Sequence, residues 1–260
     1  MSQTDINRIK EIIVKLVADK KEGHLLSSWS VVPIIYVLYK EIIKQAVKGK
    51  VNTLHDDALI LSKGHGALGW YAVLNHAGII SDDEINGYLE KGSNLGGHPD
   101  ARKFSTALAS TGSLGHGFPI SIGLQALRNG VNSGSRVFCI IGDGECMEGT
   151  LWESLLLAQL NDIHNMVLIV DYNHSHVMGP SVAQLEGTFE QFGWERWQVS
   201  ASDTQGLSDC LIRLPKGKNS LVIVDSVRGE GVPQVEGKPE WHHKVPNALE
   251  LQTILKELRA

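Results

Sequence analysis

Val137-Phe138-Cys139-Ile140-Ile141 runs straight into Gly142-Asp143-Gly144-Glu145, and a second apolar run, Met166-Val167-Leu168-Ile169-Val170, leads to Asn173, thirty positions after that aspartate. Short apolar runs of this length, rich in β-branched residues and cut off by glycine, read as buried strands of a parallel sheet. Asp143 then stands at the C-terminal end of one strand and Asn173 just past the end of the next. In an open parallel sheet, ligands bind at that edge. A carboxylate and an amide are hard oxygen donors suited to a small dication such as Mg2+, which is usually completed by water and phosphate oxygens. A helix expected over residues 150–160 would aim its positive N-terminus at the same place. The bare residues therefore read as a magnesium-diphosphate site.

Outward from this centre, strands and helices alternate. Ile6, Ile9, Ile12, Ile13, Leu16 and Val17 recur at helical spacing, an amphipathic helix with Ser2 or Thr4 as its expected cap. Further helices are expected over residues 30–46, 67–76, 119–127, 206–214 and 247–258. Strands are expected over residues 58–61, 197–199 and 220–227. Residues 92–117, rich in Gly, Ser and Thr, read as a long functional loop, and residues 229–241 as another. The fold class expected is α/β: a doubly wound parallel sheet with helices on both faces. With no repeat, low-complexity tract or linker in view, residues 1–260 read as a single domain.

Composition narrows the function. A formal charge of −5 and no Lys/Arg run argue against nucleic acid as a partner. No apolar stretch approaches the roughly 20 residues that span a bilayer, so no membrane partner is expected. The polar, acidic N-terminus is unlike a signal peptide. Cys139, Cys146 and Cys210 are few, odd in number and far apart, which suits a reducing, cytoplasmic setting.

Histidines gather at glycine-flanked breaks: Gly23-His24, Gly64-His65-Gly66, Gly96-Gly97-His98-Pro99, and His243 in Trp241-His242-His243-Lys244-Val245-Pro246. One such histidine is more often a surface or core residue than a catalyst. Three in glycine turns, and a fourth three positions before a proline, point to imidazoles that meet a ligand, donating to phosphate oxygens or passing protons to hydroxyl and carbonyl oxygens.

The ordered set Gly-His, Ser-Lys-Gly-His-Gly, Gly-His-Pro, Ser-Thr-Gly-Ser-Leu-Gly, Gly-Asp-Gly-Glu…Asn and His-x-x-Pro resembles the N-terminal half of transketolase over nearly the whole chain, above all where that half is a separate subunit. The resemblance implies the diphosphate-binding type of thiamine-diphosphate-binding fold. It implies that Asp143, Asn173 and the Ser175 carbonyl hold Mg2+ (or Ca2+ or Mn2+) on thiamine diphosphate. It places Gly144, Glu145, His65 and His243 with the cofactor, the Gly144 N–H and both histidines on its diphosphate. Gly112, Ser113 and Leu114 become the wall against its aminopyrimidine. His24, His98 and His243 face the sugar phosphate, His24 as proton relay and His98 on the donor's terminal hydroxyl. Glu148 and Glu153 join a network across a subunit interface, unless they only favour a helix N-terminus. The glutamate that activates the aminopyrimidine belongs, in the family, to a pyrimidine-binding domain absent here. A C-terminal partner subunit is therefore implied, in a hetero-oligomer with two copies of each chain.

Leu26, Pro33, Leu108, His116, Glu230, the Ser200-Ala201-Ser202-Asp203 stretch and the His174-Ser175-His176-Val177 stretch depart from the family pattern, and bear on substrate more than on cofactor. The function implied is transfer of a two-carbon ketol unit from a ketose phosphate to an aldose. The alternatives are a specialised carboligase using the same cofactor, the α-subunit of a 2-oxo-acid dehydrogenase, and a non-catalytic diphosphate-binding subunit. The four histidines argue against the dehydrogenase, whose substrate does not need a polyol-facing set.

Overall fold

The computed structural model describes residues 3–43, 54–174 and 179–260. Ser2 and Ser175, with residues 44–46, lie outside the described residues. The elements run α1 (Gln3–Lys20), α2 (Leu25–Val37), β1 (Ala58–Leu61), α3 (Ala67–His76), α4 (Asp82–Asn86), α5 (Gly117–Gly130), β2 (Val137–Gly142), α6 (Gly149–Leu160), β3 (Met166–Tyr172), α7 (Val182–Gln191), β4 (Glu195–Ser200), α8 (Thr204–Arg213), β5 (Ser220–Asp225) and α9 (Ala248–Leu258). The five strands pair in parallel in the order β1-β2-β3-β5-β4.

Alternation along the strands builds a core on each face of the sheet. Leu59, Leu61, Phe138, Ile140, Val167, Ile169, Val222 and Val224 pack with α1, α2, α3, α8 and α9. Ile60, Val137, Cys139, Ile141, Met166, Leu168, Val170, Leu221 and Ile223 pack with α5, α6 and α7. Helices thus cover both faces, as the alternating pattern requires.

Some bounds differ from the sequence expectation. α2 starts at Leu25 and continues as a π-helical turn over Leu38–Ile42. All its residues are buried, so no polar face marks where it begins. Leu25–Ile42 is, by length and composition, apolar enough to cross a membrane, but 83% of it is buried inside the fold. Thr4 lies within the first turn of α1 and is not its cap. α4 and α7 go beyond the expected elements. Each opens with a capping box, Ser81 with Glu84 and Ser181 with Gln184, a local signal that the sequence does carry.

α1 also holds a buried cation. Lys10 is 7% exposed; it donates to the Glu230 carbonyl at 2.8 Å and lies 5.6 Å from the centre of the Trp29 ring. Burial lowers its pKa from 10.5 to about 8, against the attraction of Glu230 and Glu236. Between those two values the unfolded chain holds more protons than the folded one, so stability rises with pH across that window, and the cost is fully present below it. The displacement corresponds to roughly 3 kcal/mol. Lys10→Met is expected to flatten the pH dependence of urea unfolding between pH 8 and 10 and to raise stability at pH 7. Parallel slopes for variant and wild type would show that Lys10 is not the titrating group.

Candidate active site

Three neighbouring strands end side by side. Leu61 is in register with Ile140, and Gly142 with Asp171; the Lys63 N–H carries the ladder one step further, donating to the Ile140 carbonyl at 3.0 Å. The Gly64-His65 turn, Asp143 and Asn173 therefore leave the same edge of the sheet. Asp143 and Asn173 are 4% and 3% exposed, which holds both side chains in one geometry.

Beneath them lies a buried polar network that the sequence reading does not single out. Asp171, wholly buried, accepts from Ser30 Oγ at 2.6 Å, from Lys63 Nζ, and from Ser226 Oγ at 2.8 Å. Lys63 Nζ also donates to Ser30 Oγ at 3.1 Å. Asn173 Nδ2 donates to the same hydroxyl at 3.3 Å. The amide is thereby anchored through its nitrogen, and its oxygen is the atom chemically suited to a cation. Lys63 is turned into the protein on Asp171 rather than toward a ligand. Only the Lys63 position in Ser-Lys-Gly-His-Gly hints at this in sequence; its partner lies 108 residues away.

The histidines converge from four segments. His24 and His65 have ring centres 4.1 Å apart, His65 and His98 5.4 Å, His24 and His98 6.2 Å, and His24 and His243 5.2 Å. α2 and α3 bring the first two together. Ser28 N–H donates to the His24 carbonyl at 2.9 Å, and Ser28 Oγ donates to the His65 carbonyl at 3.3 Å. His98 is seated by glycine. A Cβ on Gly64 would fall 2.7 Å from Gly112 Cα and 2.8 Å from His98 Cδ2. Gly112 has φ +143°, and a Cβ there would sit 3.0 Å from the same ring carbon. No larger residue fits this contact without displacing the imidazole. His24, His98 and His243 line one cavity of about 430 Å3.

The irregular segment before α5 is tied back by two anchors. Thr111 Oγ1 donates to the Leu61 carbonyl at 2.6 Å. Glu145, 1% exposed, accepts from Ser62 Oγ at 2.7 Å, from Gly115 N–H at 3.0 Å and from Gly142 N–H at 3.1 Å. Burial raises the Glu145 pKa against the pull of those donors. Its carboxylate faces inward and braces the segment carrying Gly112, Ser113 and Leu114. Ser113 and Leu114 themselves are exposed. The Gly144 N–H donates to Asp143 Oδ1 at 2.9 Å. Glu148 is the backbone cap of α6, and Glu153 is exposed on the same helix. Both stand on the α6 side of the sheet edge, apart from the histidine rings that α2 and α3 bring together.

The donor set fits a phosphorylated ligand held through a divalent cation. Two hard oxygen donors stand at adjacent strand ends, α6 follows Asp143 after a 3-10 turn over Asp143–Met147, and imidazoles line a cavity. Fold and site together define a phosphate-binding α/β domain with its site at the strand ends. Residues 1–258 match the family described as transketolase, thiamine diphosphate binding domain. The chain belongs to that family. It is 34% identical over 256 residues to one subunit of the apulose-4-phosphate transketolase of Actinobacillus succinogenes, covering 96% of this chain and 92% of that one. It is 30% identical over 258 residues to the transketolase of Homo sapiens, covering 97% of this chain but 41% of that one. The transketolase structure from Leishmania mexicana superposes with a TM-score of 0.84 at 23% identity, over 100% of this chain and 41% of that one, which shows the shared fold. The chain therefore spans about two fifths of the human and Leishmania transketolases and nearly all of the Actinobacillus subunit.

Proposed function

We propose that this chain is the thiamine-diphosphate-binding, N-terminal subunit of a split transketolase, a single domain acting in the cytoplasm on sugar phosphates. The observation that carries the reading is the meeting of His24, His65, His98 and His243 beside the strand ends that present Asp143 and Asn173. Asp143 and Asn173 would hold Mg2+, with the Ser175 carbonyl as a further ligand, and Gly112 to Leu114 would form the wall of the cofactor pocket. When bound, thiamine diphosphate supplies a carbon nucleophile for a ketose carbonyl and an electron sink for the C–C bond that breaks. His65 would hold the diphosphate. His24 and His243 would move protons at the sugar's carbonyl and hydroxyl oxygens, and His98 would fix the donor's terminal hydroxyl. Imidazoles suit that work near neutral pH.

A partner subunit carrying the pyrimidine-binding domain would complete the site, two copies of each chain forming the complex. The Actinobacillus relative is named as one subunit of an enzyme acting on apulose-4-phosphate, which supports a division of this kind and a ketose phosphate as donor. So does the surface. Leu114, Ile120, Leu127, Met147, Leu156, Leu157 and Leu160 are exposed apolar side chains on and around α5 and α6, continuous with the loop that carries the cofactor wall. Exposed apolar side chains in this number on two neighbouring helices favour a protein contact over a solvated surface, and Glu153 is exposed on α6.

The chain alone is expected to show no ketol transfer, and the co-purified pair to transfer a two-carbon unit from a ketose phosphate to an aldose, at a mass matching two copies of each chain by light scattering. Full turnover by the isolated chain would overturn the split-site reading.

A further inference from the structure

We propose that His24, His65 and His98 also form a binding site for a transition-metal dication of the Zn2+ class, distinct from the Asp143–Asn173 pair. One ring nitrogen from each of the three lies within 4.8 Å of the others. Tetrahedral Zn2+ with Zn–N bonds of about 2.0–2.1 Å needs its ligand nitrogens about 3.4 Å apart. Closing the set therefore takes a shift on the order of 1 Å. His98 can supply it, being exposed and carried by an irregular segment, while Ser28 anchors the backbone of the other two. Three imidazoles leave a fourth position open to the cavity, where His243 stands 5.2 Å from His24 by ring centres. Glu22 and Lys21 line the same cavity and largely offset one another in charge.

Ligand chemistry separates the two sites. Imidazole selects Zn2+, Co2+, Ni2+ and Cu2+, whereas Mg2+ prefers oxygen donors. The metal at the histidines would occupy the space proposed for the sugar. Inhibition by such ions rests on that proposal; the binding itself does not.

The test is a titration of the full chain, free of thiamine diphosphate, with Co2+ alone in excess Mg2+, followed by visible absorption. One equivalent is expected to give the intense bands of tetrahedral Co2+. His98→Ala and His65→Ala, with folding checked by circular dichroism, are expected to weaken binding more than about 10-fold, the least that loss of even an outer-sphere group costs. Asp143→Ala is expected to leave the bands unchanged. Absence of tetrahedral bands, their loss in Asp143→Ala or under Mg2+, or wild-type titration of both histidine variants would overturn the site. In the complex, Zn2+ is expected to raise the apparent KM for the ketose donor. Intact Co2+ bands with an unmoved donor KM would leave the metal site standing and instead count against sugar binding at these histidines.

Discussion

Asp143→Ala, in the complex with its partner, is expected to weaken Mg2+-dependent thiamine diphosphate binding by more than ~10²-fold. Loss of groups that merely orient a metal ligand already costs about 10–100-fold, and Asp143 is the one carboxylate in the proposed set. Without it, an amide and a carbonyl would face a dication that also carries a diphosphate, and neither brings negative charge. Asp143→Asn separates charge from shape. It keeps an oxygen for the Gly144 N–H, now held at 2.9 Å, yet removes the charge, and is expected to fall close to the alanine variant. Calorimetric titration of thiamine diphosphate at fixed Mg2+ measures both. Wild-type affinity in the two variants would remove Asp143 from the site, and the metal assignment with it.

The second large effect falls on stability. Asp171→Asn would leave the Lys63 ammonium buried opposite a neutral amide. Breaking one side of a buried ion pair costs about 3–5 kcal/mol, because the remaining charge keeps its desolvation penalty. For a chain of this size that is on the order of 10 °C in Tm. The double variant Lys63→Met/Asp171→Asn removes both charges and is expected to recover much of the loss. Cofactor affinity is not expected to recover with it. Ser30 would lose Lys63 as a donor, and the Asn173 amide hangs on Ser30 Oγ. The pair thus acts as a positioning device under the metal ligands. Urea unfolding of the two variants beside Lys63→Met decides the matter: a loss below about 1 kcal/mol for Asp171→Asn, the size of an exposed pair, would rule out a buried charge couple.

Much of the frame is readable from local pattern. β1 stands at its expected bounds, and β2, β3 and β5 within a few residues of theirs, because a strand buried on both faces is a run of apolar β-branched residues ended by a turn. The glycine-flanked histidines and the Gly-Asp-Gly-Glu…Asn spacing are visible for the same reason: a tight turn at a strand end must be written in the residues that make it. The start of α2 is misplaced by pattern because a helix buried all round has no polar face to locate it. α7 escapes the apolar pattern although Ser181 and Gln184 spell a capping box.

The sequence by itself determined the parallel sheet, the strand ends and the residue types presented there. Tertiary structure alone decided which of those residues meet. Residues 24, 65, 98 and 243 become one cluster, Lys63 turns inward to Asp171, and Glu145 braces the loop that precedes α5. Backbone conformation is chosen over a few neighbouring residues and leaves a local trace. Where a side chain points is chosen by packing and hydrogen bonding against segments tens of residues distant, and no periodicity records it.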